Sequence, residues 1–283
     1  MTIKTIQRIV NVFLATIYTE YPLLVVDGIT GPKTRAGIDL LQKHLKLPRT
    51  GEWDSRTEQY AEATFWQGKG KFVVFLDAGH GGIDWKAKYT TPGKRATHEN
   101  YKGHIDNHFY EGHNNRLQAE SLAQELTQYG ILCIRTYHPY LDVPLRERTQ
   151  LMKDWLSKGY TGVMISIHSN AIGSSYPYPD SVRGFSTHIP KAKDSDNEKL
   201  ANYIQDTCSP IMYKDRGIKR DNFSVMVSNL VNRYNDFATA LIEMDFHTSK
   251  PACEFLSDKR ETIFRSELLT MAIKHFKNDK AND

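Results

Sequence analysis

At 283 residues the chain is long enough for one large domain, or for a small domain followed by one of ordinary enzyme size. Its composition, 40% hydrophobic and 25% charged, is that of a folded globular protein and excludes a disordered chain or a coiled coil. A formal net charge of +4, with Lys and Arg scattered among acids rather than gathered in a tract, favours anionic surroundings and gives no ground for expecting nucleic acid.

In the first segment Ile6, Ile9, Val10, Phe13 and Ile17 recur at helical spacing, which predicts an amphipathic helix over Thr2–Glu20. Lys4 and Arg8 ahead of Ile9–Tyr18 sketch the outline of a signal peptide. Asn11 and Thr16 interrupt the apolar run and no A-x-A site follows, so the segment is assigned to the mature fold. No apolar stretch is long enough to span a bilayer. Asp27-Gly28 and Gly31-Pro32 predict turns, followed by a helix capped by Thr34 with Ile38, Leu41 and Leu45 on its apolar face. Gly51, Trp53, Asp54 and Thr57 repeat this turn-then-helix layout in a shorter, degenerate form.

The stretch Asp27 to Thr34, DGITGPKT, resembles the D-G-x-x-G-P-x-T turn of the small three-helix peptidoglycan-binding domain attached to many cell-wall hydrolases. The second copy departs from that pattern, with Trp53-Asp54-Ser55 where variants of G-P stand. The resemblance implies that residues 1–66 are a helical wall-binding domain; a lid with no ligand of its own is the alternative. Residues 67–71, short, flexible and charged, read as a linker to a second domain over 72–283.

From Lys71 onward apolar β-branched runs alternate with helical patterns. Phe72–Leu76, Ile131–Thr136, Val163–Ile167, Gly184–Ile189 and Ala240–Met244 read as strands. Asn114–Tyr129, Pro144–Lys158, Asn197–Ser209 and Arg260–Phe276 read as helices. The alternation predicts an α/β fold, a mostly parallel sheet flanked by helices on both faces and preceded by the small three-helix domain. Cys133, Cys208 and Cys253 are far apart and outside any C-x-x-C pattern, so they read as buried small hydrophobes.

LDAGHGG at Leu76–Gly82 places His80 in a glycine-rich turn after the first of these strands, where an α/β protein holds a ligand. Three later segments add to it: FYEGHNNR with Glu111 opening a helix, ISIHSNA with His168 ending a strand, and ALIEMDF with Glu243 ending another. Zinc hydrolases commonly use three protein ligands and leave a fourth position for water, with a nearby carboxylate to move the proton. Two imidazoles and two carboxylates converging on the carboxyl edge of the sheet meet that need. Glu120 and Glu125 lie further along the same helix as Glu111, at positions that suit a solvated face.

In order and spacing these segments resemble the zinc-dependent N-acetylmuramoyl-L-alanine amidases of the cell-wall-lytic type, over Phe72–Phe276. PLRERT at Pro144–Thr149 and DRGIKRDNFSVM at Asp215–Met226 match other recurrent stretches of that family. The resemblance implies one Zn²⁺ held by His80, Glu111 and His168, with Glu243 as general base and acid and peptidoglycan as the partner. Asn170 and Asn222 are candidates for binding the substrate's amides. A zinc peptidase acting on another amide, or a wall-binding protein with a decayed site, are the alternative functions. With no clear signal peptide the layout resembles a phage endolysin, made in the cytoplasm and acting at the wall as a monomer.

The chain departs from the family pattern in two places. Residues 83–110 form a long insertion with His98, His104 and His108, and His113 follows Glu111; an exposed polar insertion is favoured over a second metal site. DFHTS after Glu243 brings in Asp245 and His247, either to adjust the base or to line a peptide subsite. A Tyr/Pro loop at Tyr176–Pro179 reads either as the site mouth or as a rigid surface turn.

Overall fold

The computed structural model describes every residue except 1, 19–20, 66–70, 85, 174–178, 227–233, 235 and 283. Linker residues 67–70 and the aromatic loop at Tyr176 and Tyr178 therefore lie outside the described residues.

Three helices open the chain: α1 (Ile3–Ile17), α2 (Pro32–His44) and α3 (Ser55–Phe65). They enclose their own apolar cluster, centred on Val10, Phe13, Leu14, Ile38, Leu41 and Ala61. Each copy of the degenerate repeat is a glycine turn pinned to a buried glutamine on the preceding helix. Gln7 Oε1 accepts from Gly28 N at 2.9 Å, and Gln7 Nε2 donates to Ile29 O at 3.1 Å. Gln42 Oε1 accepts from Gly51 N at 2.9 Å, and Gln42 Nε2 donates to Glu52 O at 2.9 Å. Gly28 (φ 87°) and Gly51 (φ 68°) both occupy the left-handed region that a Cβ disfavours. The expected cap is displaced: Gly31 caps α2, while Thr34 sits inside the first turn and donates its hydroxyl to Ile29 O at 3.1 Å. With Pro32 at the first helical position, one backbone donor that would need capping is already missing.

The remainder is a six-stranded sheet with helices on both faces. In chain order the elements are β1 (Phe72–Ala78), β2 (Arg95–Thr97), β3 (His108–Tyr110), α4 (Glu111–Gln128), β4 (Leu132–Arg135), α5 (Leu145–Leu156), β5 (Thr161–Asn170), β6 (Phe185–Ile189), α6 (Ser195–Cys208), β7 (Asp215–Arg220), β8 (Phe237–Phe246), α7 (Lys250–Ser257) and α8 (Lys259–Asn282). The sheet order is β4-β1-β5-β8-β6-β7. The first four strands are parallel, β6 runs antiparallel to β8, and β7 runs parallel to β6. The central strands read as unbroken apolar runs because both their faces are covered. Val74, Leu76, Val163, Ile165, Ala240 and Ile242 meet α4, α6 and α8 on one side. Val73, Phe75 and Met164 meet Leu151, Met152 and Trp155 of α5 on the other.

β2 and β3 form an antiparallel hairpin inside the insertion, each strand too short to show a period in sequence. At one sheet edge α1 packs beside β4, and Arg8 reaches Glu147 at 3.3 Å. At the other edge β7 carries Asp215, Arg216, Lys219 and Arg220, charges that blunt an unpaired strand and hide it from an apolar search.

Candidate metal centre

The site is built where β1, β5 and β8 end and α4 begins. His80 follows β1 with φ 64°, a left-handed conformation that costs a non-glycine residue about 1 kcal/mol or more. Two buried guanidinium groups hold it there. Arg116 Nη2 and Arg148 Nη2 both donate to the His80 carbonyl, at 2.8 and 3.1 Å. Arg148 places its remaining donors on Val143 O, Ala78 O, Asp77 and Asp142, so its whole fork is satisfied at 2% exposure.

Glycines allow the close approaches. A Cβ on Gly79 would lie 2.2 Å from the His168 ring, and one on Gly112 would lie 2.0 Å from the Gly81 carbonyl. Gly112 therefore lets α4 start directly against the His80 loop, and that start carries Glu111. Gly79→Ala should displace His168 and destabilise the fold by about 1–3 kcal/mol, the ordinary cost of overpacking. Thermal melting together with metal analysis checks this: a variant with unchanged Tm and metal content contradicts the packing described here.

Glu111 is 2% exposed, and its Oε1 lies 3.2 Å from His80 Nε2 and 3.1 Å from His168 Nδ1. The two imidazole rings stand nearly perpendicular, with centroids 5.0 Å apart. One ligand atom from each of these residues falls within 4.8 Å of the others, the only such His/Glu group among the described residues. Tetrahedral ligands about 2.0–2.2 Å from a zinc ion stand about 3.3–3.6 Å from one another, so the observed spacing fits a single zinc. Burial alone would raise the Glu111 carboxyl, but hydrogen bonds from His168 and His80 outweigh it and hold the group well below the usual carboxylate range. The same pairing raises His168 against the opposing effect of its burial. This is a carboxylate and two imidazoles gathered at one point, a donor set in which a metal competes with protons.

Glu243 lies beside this trio, its Cα in register with His168 across the β5/β8 pair. Its Oε2 is buried with no hydrogen-bond partner. Burial pushes its carboxyl up to about 7; the His168 charge opposes the rise and the Glu111 charge adds to it. An unpaired buried carboxylate costs stability, and its place in a cleft makes Glu243 a candidate for chemistry. The cleft holds about 590 Å³ and is lined by all four residues together with Asn170, Lys94 and His247.

Of the two asparagines singled out in sequence, Asn170 lines the cleft, its Oδ1 accepting from Ala171 N at 2.8 Å. Asn222 does not. It is exposed and its Oδ1 accepts from Lys191 N at 3.2 Å, while its neighbour Phe223 reaches the cleft wall. Glu120 is likewise elsewhere, paired with Arg135 and accepting from the Tyr137 hydroxyl at 2.6 Å. The insertion histidines stand apart from the trio: His98 meets the His247 carbonyl at 2.9 Å, His104 packs on the His113 ring, and His108 pairs with Asp106. Asp245 is a structural anion, bound by Arg183 and by Gly184 N at 2.8 Å. His247 lines the cleft, fixed by Ser169 Oγ at 3.0 Å. Arg116 and Arg148 join no ligand set; both hold the His80 carbonyl, and Arg148 also pairs with Asp77.

No curated protein sequence matches the chain. Solved structures do. The catalytic domain of CwlV, an N-acetylmuramoyl-L-alanine amidase from Bacillus (Paenibacillus) polymyxa, is 21% identical, with a TM-score of 0.55 over 73% of this chain and 98% of that one. An N-acetylmuramoyl-L-alanine amidase from Clostridium difficile 630 is 24% identical, with a TM-score of 0.56 over 75% of this chain and 100% of that one. The amidase AmiC2 of Nostoc punctiforme is 19% identical, with a TM-score of 0.55 over 75% and 99%. These likenesses establish the fold. A family model described as N-acetylmuramoyl-L-alanine amidase matches residues 74–274, a span that takes in His80, Glu111, His168 and Glu243. The chain belongs to the N-acetylmuramoyl-L-alanine amidase family.

Proposed function

We propose that the cleft cleaves the amide between the lactyl group of N-acetylmuramic acid and L-alanine of the stem peptide, with one zinc ion held by His80, Glu111 and His168. Zinc in such a site lowers the pKa of water and polarises a scissile carbonyl. Glu243 takes the proton from the attacking water and returns it to the nitrogen of the departing L-alanine. A carboxyl raised to about 7 suits both halves of that task, since it gives up and regains a proton near neutral pH. His80 and His168 are fixed in orientation by the loop bonds and by Gly79, and Asn170 offers its side-chain amide to the substrate. The observation that carries this reading is the partnerless Glu243 Oε2 beside three convergent ligands.

Residues 1–66 are proposed as the wall-binding unit, 67–71 as the linker and 72–283 as the catalytic domain. The two glutamine-pinned glycine turns support a genuine tandem unit at the N-terminus. A binder followed by a lytic enzyme is the layout of an endolysin-like protein that reaches the wall during lysis. Digestion of purified sacculi should release free L-alanine amino termini. Reducing sugar ends or free D-alanine as the product would instead assign a different bond.

A further inference from the structure

The insertion 83–110 brings a hairpin to the cleft, and the residue just before β2 is Lys94. Its backbone is tied to the metal-ligand helix, because Glu111 N donates to Lys94 O at 3.1 Å. The side chain is exposed and makes no ion pair among the described residues. In this it differs from three arginines of the surrounding domain: Arg148 is paired with Asp77, Arg183 with Asp245 and Arg135 with Glu120. Arg95, the other cation on the cleft wall, is engaged by the Tyr110 hydroxyl. Of the two carboxylates lining the cleft, Glu111 is taken up by His80 and His168, and Glu243 forms no ion pair with Lys94 among the described residues. The cleft thus holds a positive charge anchored close to the reacting centre and free to meet an anion.

Resting on the function proposed above, we infer that Lys94 is a specificity-determining residue that binds a free carboxylate on the stem peptide, two residues beyond the scissile amide. An extended chain advances about 3.3–3.6 Å per residue, so that carboxylate lies about 7 Å from the reacting carbonyl. The flexible four-carbon stem of a lysine suits a point contact of this kind. The second stem residue is acidic and occurs as the free acid or as its primary amide. Only the acid offers an anion. Lys94 acts electrostatically on both Glu243 and His247, which places its charge within reach of the reacting centre. Lys219 of β7 also acts on Glu243 but does not line the cleft, which makes it the natural control.

Two muramoyl peptides identical except for a carboxylate or a carboxamide at the second stem residue test this, with kcat/KM measured for the full-length metal-loaded enzyme. The wild type should prefer the acid by about fivefold, the effect of one solvent-accessible ion pair, and the preference should shrink at high salt. Lys94→Met should reduce the ratio to near one, mainly through KM, Lys94→Arg should restore it, and Lys219→Met should leave the ratio as in wild type. A ratio retained in Lys94→Met, or lost equally in Lys219→Met, overturns the assignment while the amidase reading stands. Failure of the wild type to cut either peptide at the muramoyl amide overturns both.

Discussion

Glu243→Gln lowers kcat on muramoyl peptides by about 10²–10⁴-fold, the contribution of a positioned general acid–base group, while KM and bound zinc stay near wild type. The substitution keeps the shape of the side chain and removes only its ability to take a proton. Because Oε2 has no partner to lose, no hydrogen-bond network is broken and the fold is spared. Removing the carboxyl also removes a buried charge whose neighbours include the ionised Glu111, so stability should hold or rise slightly. Steady-state kinetics beside a thermal melt check the two halves together. A loss of less than tenfold would transfer the proton role elsewhere, and His247 is an imidazole of the cleft lining outside the ligand trio.

The largest loss of stability is expected at Arg148→Met, although Arg148 ligates nothing. Its guanidinium is buried against Asp77, itself 1% exposed and bonded also by Ser166 Oγ at 2.6 Å. Taking away one partner strands the other charge, at a cost of about 3–5 kcal/mol. In a domain of this size that lowers Tm by about 6–20 °C. Burial opposes ionisation of Asp77, yet the Arg148 charge and the Ser166 bond win and hold its pKa below the ordinary carboxylate value. A group depressed in the folded state contributes stability above its unfolded pKa, and loses it as pH falls through the folded one. In Arg148→Met the sign reverses: Asp77 is raised, the penalty is full at neutral pH, and it is relieved on acidification. The gap in stability between variant and wild type should therefore narrow from pH 7 to pH 4. A constant gap would show that the ion pair is not its origin. The same variant removes one of the two donors to the His80 carbonyl, so weakened metal binding should accompany the lower Tm.

His80, Glu111, His168 and Glu243 were legible in sequence because each sits close to where a local pattern changes: a glycine turn after an apolar run, the first residue of a helix, and the last residues of two strands, which run two residues past His168 and three past Glu243. Such positions announce themselves within a few residues. The supporting roles of Arg116 and Arg148 were not legible, although FYEGHNNR and PLRERT contain them, because each grips a carbonyl 36 or 68 positions away. The paired glutamines Gln7 and Gln42 went unseen for the same reason, although the turns they hold were visible through their glycines. The alternation of elements predicted the mostly parallel sheet, but the reversal of β6 and β7 depends on pairing between distant strands. Asn222 was drawn in by a motif whose neighbouring aromatic, Phe223, is the residue that meets the cleft. The insertion looked polar and irregular because strands of three residues leave no periodic trace.

The proposed function depends on three ligands converging on one metal with Glu243 beside it. Zinc stoichiometry of the purified protein, measured for wild type, His168→Ala and Glu243→Gln with sacculus digestion in parallel, addresses it directly. One zinc per chain in wild type and in Glu243→Gln, a loss of at least about tenfold in affinity in His168→Ala, and turnover in wild type alone is the expected result. Zinc and activity both surviving in His168→Ala would contradict it.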